Sequence, residues 1–210
     1  MKKSNIALLS LCALTLFFAS CKNEAKKEEV ATTDSTAANT LADGTYNIDV
    51  AASSVNWKGD MLGLYSHNGS IAIKEGTVDV KDGKISGGSI IIDMSSIAPK
   101  DSAYDKDNTK EKLIGHLASN DFFNTKDFAV SSFKITGSEN NTVKGELTVR
   151  DKTNPETVKE VVVTPSANGM TASAKLIFNR QNYGVAFKMP VKDKVLSDSI
   201  QLDINLTATK

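Results

Sequence analysis

Cysteine is almost missing. Cys12 and Cys21 are the whole complement of a 210-residue chain, and both lie close to the N-terminus. Once that segment is set aside, no disulfide, thiolate metal site or cysteine nucleophile is available. Histidine is as scarce, with His67 and His116 alone. A catalytic zinc site usually takes three protein ligands, so two histidines would need a carboxylate beside them; no His-Glu-x-x-His pattern occurs, and no metal is expected. Also missing are a Gly-x-Ser-x-Gly elbow and the Walker and dinucleotide glycine patterns. Without them there is no catalytic residue and no cofactor to assign, and the chain does not read as an enzyme. Nor is there an excess of one charge. Against 25 basic residues stand 25 acidic ones, and discounting Lys2 and Lys3 with the leader tips the balance slightly to acid. Nucleic-acid binding needs a basic footprint, so no nucleic-acid partner is expected. The most apolar stretch, residues 6–18, falls short of the roughly 20 residues that span a bilayer as a helix.

That stretch is the first feature that is present. Preceded by Lys2 and Lys3, it has the make-up of a signal-peptide core, and it ends in Phe18-Ala19-Ser20-Cys21, with small residues immediately before a cysteine. The pattern resembles a bacterial lipobox, with Phe18 where leucine is usual. Cys12 follows the bulky Leu11 and fits less well. Residues 1–20 are expected to be a lipoprotein signal peptide and Cys21 the lipidated residue; ordinary secretory cleavage, with Cys21 an incidental thiol, is the alternative. Residues 22–43 are charged, then rich in Ala and Thr, and hold no aromatic side chain. They bury too little apolar area to offset the entropy of ordering them. Residues 21–43 therefore read as lipidated cysteine plus flexible tether, and 44–210 as one domain with a sizeable core. A membrane-anchored protein of the cell envelope is implied, on the periplasmic face or at the outer membrane or cell surface.

Within the domain the dominant period is two. Ile200, Leu202, Ile204, Leu206 and Ala208 alternate with Gln201, Asp203, Asn205 and Thr207, a strand with one apolar and one wet face. Residues 143–149 and 170–178 repeat the pattern. Further strands are expected at 46–50, 55–58, 70–74, 77–81, 85–94, 128–136, 157–164 and 183–188. Turn signals separate them at Lys74-Glu75-Gly76, Lys81-Asp82-Gly83-Lys84, 138–141 and 166–169. Many short strands with tight turns predict an all-β, mainly antiparallel sheet closed or folded on itself. In 89–94, isoleucine occupies both faces (Ile90, Ile91, Ile92), which predicts a strand packed by the core on one side and a helix on the other.

The period changes once. Over 105–118, Leu113, Ile114 and Leu117 fall at helical spacing, and Asn108 followed by Glu111 forms a plausible N-terminal cap. Gly115 weakens that helix by about 1 kcal/mol relative to alanine, so a short element is expected, covering an opening or an edge. It runs into HLASNDFFNT (116–125), where a histidine, an aspartate and two phenylalanines crowd together. Used as an acid-base pair, His116 and Asp121 would sit about one and a half helical turns apart and would not face each other. Packing or a cavity lip is the preferred role. Arg150 and Arg180 are the only arginines. Arg180 lies in a turn between expected strands, where it reads either as a loop ion pair or carbonyl cap, or as a bidentate partner for an anionic head group.

Several segments together resemble one family. They are Trp57-Lys58-Gly59 with His67-Asn68-Gly69-Ser70, the run from Gly87-Gly88-Ser89 to Ile97, His116-Leu117-Ala118-Ser119-Asn120-Asp121-Phe122-Phe123, Gly145-Glu146-Leu147-Thr148-Val149, and Asn179-Arg180-Gln181-Asn182-Tyr183-Gly184. In this order they look like the YceI-like family, over essentially the whole of 44–210. Two turns depart from its pattern: Asp127-Phe128 stands where Tyr-Pro is common, and Arg150-Asp151 replaces a glycine-led turn. The resemblance implies a lipocalin-like extended β-barrel of about eight strands, one short helix covering an end, and a long apolar cavity. It implies binding of a polyisoprenoid or another long lipid, and an assembly that is often a homodimer. Cavity-wall candidates are then Trp57, Phe122, Phe123, Phe133, Phe178 and Tyr183, some of them ordinary core, with His67 and Arg180 as polar groups near a mouth. The alternatives are an envelope interaction or stress-related module with a filled core, and a hydrolase acting on lipid or glycan.

Overall fold

Alternation in the sequence becomes closure in space. The computed structural model of the chain describes residues 40–188 and 195–210; the expected signal peptide, Cys21 and the expected tether up to residue 39 lie outside them. The strands are β1 (Gly44–Ile48), β2 (Ser54–Met61), β3 (Tyr65–Lys81), β4 (Lys84–Pro99), β5 (Val130–Glu139), β6 (Thr142–Val149), β7 (Lys152–Ser166), β8 (Gly169–Asn179) and β9 (Leu196–Thr209), with helix α1 (Lys110–Ala118) after β4 and a 3-10 turn (Arg180–Tyr183) after β8. Every pairing is antiparallel, and β2 through β9 form a ring that closes where β9 pairs with β2. Nine described strands fill eight lanes. β1 and β2 lie end to end between β3 and β9, with Asn47 opposite Thr77 and Thr209, and Val55 opposite Ile71 and Ile204. The loop between them is held by Asp49, whose carboxylate accepts from the Ala51 and Ala52 N–H groups. The fold is thus the antiparallel barrel with one short helix that the sequence predicts.

Four local expectations need correction. Lys74-Glu75-Gly76 is not a turn but a bulge inside the long strand β3, with Ile73 opposite Ile92 and Glu75 opposite Ile91. Its glycine serves close approach: a Cβ at Gly76 would stand 2.8 Å from Ile48 Cδ1 and 3.0 Å from the Ser89 carbonyl oxygen. Helix α1 is capped by Thr109, whose hydroxyl accepts from the Lys112 N–H, and not by Asn108. Asn108 is engaged instead by the Asp105 carboxylate, which accepts from both its backbone and side-chain N–H groups. Residues 183–188 form no strand; the 3-10 turn, capped by Asn179 and stopped by Gly184 in the left-handed region (φ 72°), redirects the chain there. Ile91 is not covered by the helix. It lies on the outer face of the barrel in a shallow polar depression with Thr77, Ser89 and Ser132.

The two ends of the barrel differ. At one, Tyr46, Val78, Val80, Met170 and Ala208 are buried and close the interior. Leu41 packs there and the Ala42 carbonyl accepts from the Tyr46 hydroxyl, so ordered contacts begin just ahead of the expected domain start. At the other end α1 lies across the opening. Leu117 packs with Met94, Ile97, Phe122 and Val185 in a second, smaller core under the helix.

Candidate ligand-binding cavity

The inward rows of the strands do not meet. Ile90, Ile92, Leu202, Ile204 and Leu206 point into the barrel yet are only partly buried, because they face a cavity of about 830 Å³. That volume falls among those of pockets that hold small organic ligands. Small inward residues help keep it open: Ala172 and Ala174 of β8 stand opposite Leu206 and Ile204.

Of the residues singled out by sequence, Trp57, His67, Phe122, Phe123, Phe133 and Phe178 line this cavity. They come from four strands and from the loop after α1. Trp57 is oriented by its indole N–H, which donates to the Ser70 carbonyl at 3.2 Å. Phe122 and Phe123 are in edge contact at the helical end, where His116 sits edge-on to Phe122 and Phe187 at 4.8 and 4.6 Å. No described hydrogen bond joins His116 to Asp121, whose backbone N–H donates to the Ser119 hydroxyl.

Arg180 and Tyr183 do not line the cavity, contrary to expectation. β7 pairs with β8 only from Lys159 onward, so the first half of β7, with Pro155 in it, has one flank without a ladder. The 3-10 turn fills that gap. Tyr183 is fully buried, packs edge-on to Phe178 at 5.4 Å and donates its hydroxyl to Glu156 at 2.9 Å. Burial and that carboxylate push the phenol pKa up. Arg180 is likewise buried and donates to the Val185 and Ser197 carbonyls and to Asp198 at 3.0 Å. Its guanidinium caps backbone oxygens on either side of residues 189–194. Burial lowers its pKa, while Asp198 opposes that shift.

Sequence reasoning passed over three contributors. Arg150, at φ 55°, donates to the carbonyls of Phe122 and Gly184, each at 3.1 Å, and to the Asn120 side chain. The guanidinium thereby pins the HLASNDFF loop to the chain beyond the 3-10 turn. The departure from the family's turn at 150–151 marked this residue without revealing its role. The other two are Asp101 and Tyr104, in the irregular segment between β4 and α1. His67 Nδ1 lies 3.1 Å from Asp101 Oδ1, and its ring stacks on Tyr104 at 5.5 Å with Tyr65 edge-on at 5.1 Å. Asp101 also accepts from the N–H groups of Asn68 and Ala103 and from the Tyr104 hydroxyl. Burial alone would raise the Asp101 pKa; these hydrogen bonds outweigh it and hold it at about 2. Lining residues that are also exposed, Tyr65, Ala103, Asp105, Asn108 and Lys112, gather around this cluster and mark where the cavity opens. Among the described residues no group of three or more metal-ligating side chains occurs, and no helix is long and apolar enough to cross a membrane.

Comparison with known proteins agrees with this geometry. The family model described as YceI-like domain matches residues 46–208. BcnA of Burkholderia cenocepacia superposes with a TM-score of 0.60 at 21% identity, over 77% of this chain and 99% of its own. A polyisoprenoid binding domain from Saccharophagus degradans, described as implicated in plant cell wall breakdown, superposes with a TM-score of 0.59 at 13% identity, over 78% and 97%. At such identities the likeness is one of fold. Two UPF0312 proteins of Staphylococcus aureus strains are 35% identical over 92 residues, 40% of this chain, and the chain spans about half (54%) of the length of these curated relatives.

Proposed function

The chain belongs to the YceI-like domain family, and on that premise we propose that it binds one long apolar molecule, an isoprenoid or another lipid, inside the barrel. The observation that carries this is the cavity itself: about 830 Å³, walled by aliphatic rows and five phenylalanines, and open at one end beside α1. A barrel serving only as an interaction module would have no need to keep its interior unfilled. Each methylene-sized group that moves from water to such a wall contributes about 0.8 kcal/mol. Chain length would therefore dominate affinity. The polyisoprenoid-binding description of the Saccharophagus relative supports the same ligand class. The leader and the Phe18-Ala19-Ser20-Cys21 pattern support a place in the cell envelope, with Cys21 as lipid anchor; the protein then holds or carries its ligand close to a membrane.

Uptake of retinol, an intrinsically fluorescent isoprenoid, tests the reading. Wild-type protein should enhance and saturate the fluorescence at one molecule per chain. Ala174→Trp combined with Leu202→Trp, which fills the cavity from two neighbouring strands, should abolish the enhancement with an unchanged far-UV circular dichroism spectrum. Equal uptake by a folded, filled variant would place the binding outside the barrel and end the proposal.

A further inference from the structure

The cluster at the opening has an unusual balance of donors and acceptors. Asp101 faces four groups: it accepts hydrogen bonds from the N–H of Asn68 and of Ala103 and from the hydroxyl of Tyr104, and lies 3.1 Å from His67 Nδ1. An ionised carboxylate only accepts, so a neutral His67 ring is fixed as the Nδ1–H tautomer and its Nε2 becomes a lone-pair acceptor. Nε2 makes no hydrogen bond among the described residues. Tyr104 directs its single proton to Asp101, and its oxygen also has only lone pairs left. What the pair still offers a ligand is therefore acceptance alone. Nearby, the Lys112 ammonium donates to the Asp107 carbonyl, the Lys110 ammonium stands 5.8 Å over the Tyr104 ring, and the Asp105 carboxylate lines the same rim, so two lysines are set against Asp101 and Asp105. With Asp101 directly behind His67, the opening holds no surplus of positive charge to attract an anion.

We propose that His67 and Tyr104, oriented by Asp101, form a binding site for the polar end of the chain held in the cavity, and that this end is a hydrogen-bond donor, a hydroxyl as in a long-chain or isoprenoid alcohol. The inference rests on the lipid-binding reading above and adds the end group to it. A hydroxyl supplies the proton that Nε2 lacks. An ether leaves Nε2 unmatched, and a carboxylate or phosphate sets its own lone pairs and charge against those of the site. One matched hydrogen bond at a partly exposed site is worth about a tenfold change in affinity. His67 is held between two rings and by Asp101, so the acceptor is positioned before a ligand arrives.

Three probes that share one chain separate the possibilities: geranylgeraniol, its methyl ether, and geranylgeranoate. Each is titrated into the full chain by calorimetry at pH 8, above the ordinary imidazole range. The alcohol should bind about tenfold tighter than the ether and the carboxylate. His67→Phe keeps an aromatic ring between Tyr65 and Tyr104 but removes Nε2; it should bring alcohol and ether to within about twofold of each other. Should that variant fail to fold, Tyr104→Phe reads the same ratio, which should fall by several-fold. Equal binding of alcohol and ether by the wild type, or tighter binding of the carboxylate, would overturn the end-group assignment while leaving the cavity reading intact. An alcohol preference that survives both variants would equally overturn it. Binding of none of the three would count against the cavity reading instead.

Discussion

Two buried or half-buried arginines order the end of the barrel at which the cavity opens, and each does so through backbone oxygens. Removing Arg150 frees the Phe122 and Gly184 carbonyls and the Asn120 side chain. Arg150→Ala should lower unfolding free energy by about 2 kcal/mol in urea titrations and loosen the loop that carries Phe122 and Phe123. Arg180→Met keeps bulk but strands the Val185 and Ser197 oxygens and Asp198. It should cost about 3 kcal/mol and leave retinol affinity nearly unchanged, because the side chain does not reach the cavity; loss of binding without loss of stability would contradict its structural role. Asp101 gives a pH signature. Its pKa is depressed in the folded state from the ordinary 3.8 to about 2, so the stability it contributes is complete above about pH 5 and is lost as pH falls toward 2. The gap in stability between wild type and Asp101→Asn should therefore narrow by about 2 kcal/mol over that range; a gap independent of pH would refute the assignment. At this scale the sequence was half legible. Of the six aromatic candidates, Trp57, Phe122, Phe123, Phe133 and Phe178 line the cavity and Tyr183 does not. A lone arginine in a turn looks the same whether it caps carbonyls or awaits an anion, and only the position of those carbonyls decides.

Among the elements, periodicity carried most of the information. Alternation located the strands because each has one face toward the interior, and the single stretch of helical spacing located α1. What it missed were features set by a neighbouring strand. Gly76 reads as a turn residue in one dimension, but in the barrel it lets β4 and Ile48 approach a bulge. Residues 183–188 have strand-like composition, yet the gap beside the first half of β7 calls for a compact turn. Gly145 shows the same dependence on a partner. It pairs with Ile135, and a Cβ there would stand 2.4 Å from the Phe133 ring and 2.5 Å from the Lys134 carbonyl oxygen. The ring can swing aside into the cavity; the backbone oxygen cannot. Gly145→Ala should destabilise the protein by about 1–3 kcal/mol, read from urea unfolding, and should also weaken uptake of long ligands as Phe133 is displaced inward. Unchanged stability would mean that β5 and β6 are not held as closely as their register requires.

For the molecule as a whole, the strand pattern predicted a sheet closed or folded on itself and said nothing of whether its interior would be filled. The same alternating sequence serves a barrel filled by its own side chains and a hollow one, and the difference lies in small inward residues such as Ala172 and Ala174 and in how far apart facing rows stand. The resemblance to the YceI-like family supplied the expectation of a cavity; the geometry supplies its walls, its closed end beneath Tyr46 and Met170, and its opening beside His67. An interior of this kind, lined by aliphatic groups and partly shielded by α1, favours an apolar guest over bulk water. The most direct test is to purify the protein from its native host without detergent, extract it with organic solvent, and quantify what is released by mass spectrometry. The predicted result is one long-chain lipid or isoprenoid per protein molecule, lost from the Ala174→Trp, Leu202→Trp variant. A clean extract, together with no uptake of added prenyl lipid by the folded protein, would contradict the account.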